Sequence, residues 1–334
     1  MFSLSCQITI IVQGGLKKLV FPFAAGVSIE SSLKERTATA TVSIAKNIRV
    51  KGSDLSLRPI GEVVKTGDKV IVELGYDGTL RTEFIGYVRS IVPGPPMQLV
   101  CEDEMFLFKR TEVAPATIKG TMADLIAYIA PGYTTDVLDT SLGGPFVIKG
   151  SGVTPAKVLN EVEEVYGLQS FFRLINGQPV LTVGKAYLSE AFAGTKPVQY
   201  KLYRNIIKQG LELQQAEDVK IKVSVKSKQT GGKVLKAKFT GDEGGELREF
   251  AAPGLTQERV EEIAKELYKG AKTDRFTGSY TTFGLPYIQH GMSAHVVTDG
   301  YEIAETTNYV EAVNTTWGIN GFRRDITLGP KVTI

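Results

Sequence analysis

The first twelve residues place Phe2, Leu4, Cys6, Ile8, Ile10 and Val12 on even positions, with Ser3, Ser5, Gln7 and Thr9 between them. A period of two turns alternate side chains to opposite faces, so this stretch predicts a strand with one buried face. Gly14-Gly15 turns the chain. From Val27 to Ile44 the alternation resumes, with Thr37, Thr39 and Thr41 opposite Ala38, Ala40 and Val42. Asn47 to Lys65 is irregular and polar and reads as a surface excursion. The strongest pattern follows, from Gly67 to Phe108. Val70, Val72 and Leu74 alternate with Lys69 and Glu73, and Asp77-Gly78 supplies the positive φ angles of a tight hairpin turn. Phe84, Gly86 and Val88 alternate with Glu83, Ile85 and Tyr87. Pro93-Gly94-Pro95-Pro96 forces a second reversal, and Met97, Leu99 and Cys101 make the returning strand. The first 111 residues therefore predict only strands and turns, an antiparallel barrel or sandwich.

The meander has an echo near the end of the chain, from Gly291 to Gly329. Ala294 and Val296 take the places of Val70 and Val72, Asp299-Gly300 that of Asp77-Gly78, and Tyr309-Val310 that of Tyr87-Val88. Gly318 to Gly321 replaces the proline turn, and Ile326 with Leu328 returns. Two similar barrels in one chain are expected.

Between them the period changes. Thr121 caps a helix with Asp124 in its first turn and Leu125, Ile126 and Ile129 on one side; Pro131-Gly132 stops it. Thr154 caps a second helix, with Pro155 in the first helical position and Gly167 after the last. Val158, Leu159, Val162 and Val165 mark its buried side. A hairpin follows from Ser170 to Val183, turning at Asn176-Gly177. Strands return after Tyr200: Val219, Ile221, Val223 and Val225 alternate with lysines and Ser224, and Gly231-Gly232 turns into Val234 to Phe239. Thr256 caps a third helix, about 256–269, with Val260, Ile263, Ala264, Leu267 and Tyr268 on one face. The expected fold is mainly β with an α+β insert. It comprises a first β-barrel domain over 1–111, a small α/β insert over 112–200, and a second β-barrel domain with one helix over 201–334.

Composition narrows the function classes. With 334 residues there is room for two or three domains, and 43% hydrophobic and 22% charged content is ordinary for globular chains. A net charge of +3 is too mild to argue for nucleic acid or an anionic membrane surface. The two cysteines, Cys6 and Cys101, fall on apolar positions of alternating strands, which favours buried thiols, while a disulfide between them stays open. The amino terminus lacks a basic start and a continuous apolar run, so no signal peptide is expected, and no stretch approaches the roughly 20 apolar residues of a membrane span.

Candidate chemistry is sparse. There is no G-x-S-x-G elbow, and His290 and His295 lie an odd number of residues apart in an expected strand, facing opposite ways. That removes the usual paired metal site, and no metal is expected. Phosphate loops of the G-x-x-x-x-G-K-[ST] and G-x-G-x-x-G kinds are absent, so no cofactor is expected. Glu102-Asp103-Glu104 at a strand end and Asp242-Glu243 in a glycine-rich loop read as solvated charge. The uneven surface is a row of lysines: Lys220, Lys222, Lys226 and Lys228 on one strand face, with Lys233, Lys236 and Lys238 nearby. Such a row either protects a sheet edge or meets an acidic partner or passing nucleic acid; few aromatics interleave, so base stacking is not supported.

Two segments carry a family resemblance. Gly67-Asp68-Lys69-Val70 through Gly86-Tyr87-Val88, followed by Leu99-Val100-Cys101-Glu102-Asp103, resembles the first barrel of phage baseplate hub proteins. That group includes late control protein D, the Mu-type tail protein and the front part of the type VI secretion spike VgrG. Tyr309-Val310 through Gly321-Phe322-Arg323-Arg324-Asp325-Ile326-Thr327-Leu328 is similar to the hub's final hairpin, and barrel, α/β insert, barrel is the family's domain order.

The resemblance implies a non-enzymatic homotrimer whose six similar barrels surround a delivery channel, so that a three-fold spike meets a six-fold tail tube. It implies as partners a separate spike protein, the tail tube protein, a tape-measure protein and passing DNA or protein cargo, in a virion baseplate assembled in the bacterial cytoplasm. No spike barrel or needle follows before Ile334, hence the expectation of a separate spike. Outward strand positions of both barrels would make the tube and chain-to-chain contacts, and the lysine row would lie at a partner surface or on the channel wall. The competing class is a monomeric β-rich carbohydrate-binding or hydrolytic protein with a cleft at the insert, near Tyr128, Tyr133 and Tyr166.

Overall fold

The fold is that of a computed structural model, which describes residues 3–49, 57–138, 143–184, 196–229, 233–237, 240–251, 254–298 and 307–332. It is mainly β, and its first unit contains β1 (Leu4–Val12), β2 (Lys17–Phe21), β3 (Gly26–Ser32), β4 (Thr39–Ile44), β5 (Asn47–Arg49), β6 (Leu57–Pro59), β7 (Lys69–Tyr76), β8 (Thr79–Val92) and β9 (Met97–Glu102). The insert contains β10 (Ala116–Ile118), β11 (Thr134–Val137), β12 (Phe146–Ile148), β13 (Gln169–Ile175) and β14 (Gln178–Gly184). The remainder contains β15 (Val198–Lys201), β16 (Ile206–Gln214), β17 (Ile221–Lys228), β18 (Val234–Lys236), β19 (Thr240–Gly241), β20 (Glu246–Ala251), β21 (Arg275–Phe283), β22 (Ser293–Val297), β23 (Thr307–Gly318) and β24 (Gly321–Lys331).

One 13-stranded sheet builds both barrel walls, in the order β16-β21-β24-β23-β3-β4-β9-β8-β7-β1-β2, with β22 on β23 and β15 on β22. The alternation in β1 works as its pattern requires. Cys6, Ile8, Ile10 and Val12 are buried with Val70, Val72 and Leu74 of β7 in the first core, where the two strands pair from Leu4–Tyr76 to Ile11–Lys69. Asp77 and Gly78 take φ angles of 51° and 79°, and Asn176 and Gly177 take 51° and 72°, so both expected hairpins turn on two left-handed residues. The second wall has its own core of Tyr200, Tyr280, Ile288, Ala294, Val296, Val310, Val313, Ile326 and Leu328. Its β15–β22 pair is parallel, one departure from the expected antiparallel arrangement.

The first 111 residues are not purely strand and turn. Two single-turn helices, α1 (Ile60–Val63) and α2 (Met105–Phe108), bury Ile60, Met105, Phe106 and Phe108. Four residues are too few for a helical period to show in the sequence. The insert packs α3 (Met122–Ile129) and α4 (Pro155–Tyr166) against β13 and β14 around Leu125, Ile126, Val158, Leu159, Phe172 and Leu181. Thr121 and Asp124 form a reciprocal capping box on α3, and Gly167 ends α4 in the left-handed region at φ 67°.

The segment from Val219 to Ala271 does not join the second wall. β17 is the centre of a separate four-stranded sheet, with β18 and β19 on one edge and β20 parallel on the other. Ile221, Val223 and Val225 pack beneath α5 (Gln257–Ala271) through Val260, Ile263 and Ala264. Alternation predicts a strand and its buried face, but not which helix or sheet covers that face, which is why the strand reads equally well as barrel wall.

Candidate functional site

The hairpin of β23 and β24 is the seam between the two walls. β23 joins β3 through seven antiparallel pairs, from Ala312–Ser32 to Gly318–Gly26, so the barrels share a ladder rather than a flexible hinge. Gly321 accepts φ 95° at the hairpin turn. The next residue, Phe322, is carried out of its own barrel into the first core, 5.5 Å from the ring of Tyr76. The Tyr76 hydroxyl donates to the Phe322 carbonyl at 3.1 Å, and the Gly284 N–H donates to the same carbonyl at 2.9 Å.

Arg324 lies two residues on, on the same face. Its side chain is 1% exposed and its partner Glu83, on β8 of the first wall, is 3% exposed. Nη2 donates to Glu83 Oε1 at 2.7 Å, Nη1 to Thr315 Oγ1 at 2.9 Å and Nε to the Gly284 carbonyl at 2.9 Å. Three bonds use the guanidinium fork in the way that makes a buried arginine tolerable. Burial pushes the Glu83 carboxyl upward and Arg324 pulls it back. The ring of Tyr287 closes the site, with the Arg81 guanidinium 3.5 Å from its centre; burial first and Glu83 second push its hydroxyl up to about 12. Arg323, on the other face, stays partly exposed over the Phe283 ring at 5.0 Å. Tyr309 is buried with Leu33 and Phe171 where the seam meets the insert.

Beside this pair a cavity of about 50 Å³ lies where both walls and the insert meet, lined by Glu83, Asp103, Arg173, His290 and Arg324 among others. His290 precedes β22 instead of lying within it, so its expected opposition to His295 across one strand does not arise. It is 3% exposed, its ring lies 4.8 Å from that of Phe171, and burial, then Arg173, holds it at about 4, neutral at ordinary pH. His295 sits apart, its Nδ1 3.3 Å from the Thr307 hydroxyl.

The acidic triplet is a correction to the solvated-loop expectation: Glu102, Asp103 and Glu104 are 6%, 5% and 1% exposed. Glu102 meets Arg89 at 3.2 Å and Lys109 at 2.9 Å, and Glu104 meets Lys69 at 3.2 Å and the Tyr133 hydroxyl at 3.0 Å. Asp103 accepts from the Ala38 and Met105 N–H groups, both at 2.9 Å, yet full burial pushes it up to about 7. Arg89, Lys69 and Ala38 come from other parts of the first wall and Tyr133 from the insert, so a run of three acids shows no sign of them. Cys6 and Cys101 are free and buried, and burial pushes the Cys101 thiol up to about 12.

The lysine row lies on the accessory sheet, away from the seam hairpin. Lys222, Lys226 and Lys228 share the face of β17 opposite its core, and Lys220 precedes the strand, exposed. Since β17 is the central strand, edge protection does not account for them. Lys226 meets Glu249 at 2.6 Å, and the Lys228 ammonium lies 6.0 Å from the ring of Tyr166 in the insert. Lys238, like Asp299-Gly300 of the repeat and the Gly231-Gly232 turn, lies outside the described residues. The insert tyrosines do not converge: Tyr133 packs on Phe108 and Phe172, Tyr166 on Phe146, and Tyr128 bonds the Ala114 carbonyl. Among the described residues no cluster of three or more His, Cys, Asp or Glu could hold a metal ion, and no helix is long and apolar enough to cross a membrane.

No protein-family model matches the sequence, and no curated protein matches it. Solved structures do match the fold. The tail protein from Neisseria meningitidis MC58 superimposes with a TM-score of 0.61 at 16% identity, over 98% of this chain and 96% of that one. The 43 kDa tail protein of prophage MuSo2 from Shewanella oneidensis gives 0.60 at 16% identity, over 98% of each chain. The Francisella PdpA–VgrG complex gives 0.55 at 9% identity, over 99% of this chain and 58% of that one. The chain thus has the fold of these tail proteins over 98% of its length, and matches just over half of the chain from the Francisella complex.

Proposed function

We propose that the chain is a structural hub of a contractile phage tail, prophage or related injection system, and not an enzyme. Three copies form a ring of six similar walls around a delivery channel, joining the tail tube to a central spike. The observation that carries this reading is the fold match over 98% of the chain to two tail proteins. The physical support is the internal repeat: two equivalent walls per chain let three copies present six equivalent surfaces to a tube while keeping three-fold contacts for a spike. The seam serves that role, because a ladder of seven pairs plus a buried ion pair fixes the angle between the walls that ring closure requires. In this reading the protein belongs to the virion baseplate and is assembled in the host cytoplasm, and tape-measure protein and DNA or protein cargo pass through the ring.

The test is electron-microscope class averages of the purified chain at high concentration, alone and mixed with its spike. Three-fold rings with six similar lobes and a central hole are expected; compact monomers in both samples overturn the reading. The lysine face of β17 is assigned to a partner or the channel wall. Reversing Lys220, Lys222 and Lys226 to Glu should impair assembly or delivery while leaving the fold intact, and unchanged assembly and delivery would remove that assignment.

A further inference from the structure

The two walls correspond strand by strand, and the correspondence identifies the contact between neighbouring copies. The order β3-β4-β9-β8-β7 in the first wall is matched by β16-β21-β24-β23-β22 in the second. Gly67 and Gly291 take φ 91° and 80°, and each donates its N–H to the carbonyl of the matching valine, Val88 or Val310. Those valines then bond back to Asp68 and Met292. Both ladders shift register immediately afterwards, between Val88 and Ser90 and between Val310 and Ala312. A bulge kept in the same place in both halves of one chain marks a shared architecture, because a bulge re-aims every residue after it. Following the registers outward equates Ser90, Ile91 and Val92 with Ala312, Val313 and Asn314, and Glu212, Leu213 and Gln214 with Glu30, Ser31 and Ser32.

Within the chain, β23 of the second wall pairs with β3 of the first. The counterparts of these strands are β8 and β16, and neither is used up. β16 ends the sheet, paired only with β21 among the described residues, and the Ser90–Val92 end of β8 is paired only with β9. We propose that β16 of one copy pairs antiparallel with the end of β8 of the next, repeating between molecules the junction that β3 and β23 make within one. The register is Ser90 with Gln214, Ile91 with Leu213 and Val92 with Glu212.

Three features fit a second copy of this chain. Val92 and Leu213 are 44% and 39% exposed, apolar residues on open strand ends that a monomer leaves to water. Ile91 beside Leu213 makes an apolar cross-strand pair of the kind that stabilises sheets. Charge is also complementary: the internal junction is bridged by Lys34 and Glu311 at 2.7 Å, and the counterpart of Glu311 is Arg89. In the proposed junction exposed Glu217 and Asp218, which follow β16, would lie on the side of Arg89, which within the chain meets Glu102, so the signs are exchanged and the attraction is kept. The Pro93–Pro96 turn shortens the first hairpin, so the intermolecular ladder stops at Val92 and is shorter than the internal one. This contact rests on the ring reading and gives it a surface.

Cysteine cross-linking tests it. Opposed residues of antiparallel strands lie roughly 4.5–5.5 Å apart at Cα, within disulfide range. Val92→Cys with Glu212→Cys in one chain, mildly oxidised, should give disulfide-linked species that end at trimers on a non-reducing gel. The two single variants mixed should give linked dimers, and neither alone should link, since native Cys6 and Cys101 are buried. Ser90→Cys with Gln214→Cys is the second pair. Three-fold rings in the microscope without either cross-link overturn the contact and leave the ring standing. Cross-linked ladders running past trimers keep the contact and overturn closure at three. Unlinked monomers with no rings overturn both.

Discussion

Replacing Arg324 by Met keeps the volume near the original and removes the cation, leaving Glu83 facing the seam alone. The wild-type guanidinium makes three bonds of 2.7–2.9 Å to Glu83, Thr315 and Gly284 with almost no water contact. Removing one partner of such a pair costs about 3–5 kcal/mol, because the desolvation of the survivor is no longer compensated. With a urea m-value of about 2 kcal/mol per M, that is a midpoint lower by roughly 1.5–2.5 M. Trp317 is the single tryptophan and packs against the first core at the seam, so its fluorescence reports this region and not the accessory sheet.

The variant's deficit also has a predictable pH dependence. Burial raises the folded-state value of Glu83 and, without Arg324, only the weaker attraction of Arg81 opposes it. A raised acid contributes fully below its unfolded value, about 4.3, and that contribution is lost as pH rises toward the folded value, about 1.4 kcal/mol per unit. The deficit against wild type should therefore be small near pH 4 and largest near pH 8. Adding Glu83→Gln should recover part of it at pH 8. A deficit below about 1 kcal/mol, or one that is flat with pH, refutes the buried-pair account.

Four further outcomes follow from the same structure. Asp103, pushed up to about 7 by burial, should cost the wild type stability as pH rises from about 4 to about 7; Asp103→Asn should flatten that slope in urea midpoints taken at each pH. A Cβ on Gly284 would collide with the Phe322 ring at its Cδ1, so Gly284→Ala should lower the midpoint by the equivalent of about 1–3 kcal/mol or more. Gly78→Ala, which meets only the cost of φ 79° in open space, should lose about 1–2 kcal/mol, and the same urea series compares the two. Neither Cys6 nor Cys101 should react with an aromatic disulfide reagent in the native protein, and both should react in denaturant.

The walls were legible because their residues interact with near neighbours in sequence. Ile8, Val70 and Val72 alternate, and Asp77-Gly78 and Asn176-Gly177 carry their own turn chemistry. The echo between Gly67 and Gly291 was legible for the same reason, since each glycine answers to a local φ angle. The hairpin Gly321 to Arg324 could be singled out by resemblance, but its work could not. Glu83 and Arg324 lie 241 residues apart, and no local pattern ties a glutamate on one strand to an arginine so distant. Glu102, Asp103 and Glu104 misread for a related reason: a run of acids looks solvated until Arg89, Lys69, Lys109 and Tyr133 are folded around it. The lysines of β17 gave the strand and its wet face, while the helix under its dry face comes from a segment that no periodicity links to it.

The accessory sheet is inserted between β16 and β21, whose last and first residues, Gln214 and Arg275, already face each other in the ladder. In the first wall the matching connection from Ser32 to Thr39 is a short loop. The ends of the insertion are thus held together by the wall itself, and lengthening a connection there adds little closure entropy. For engineering, the stretch between Gln214 and Arg275 marks a graft point where a foreign domain with adjacent termini could enter, provided Glu217 and Asp218 are kept for the contact between copies.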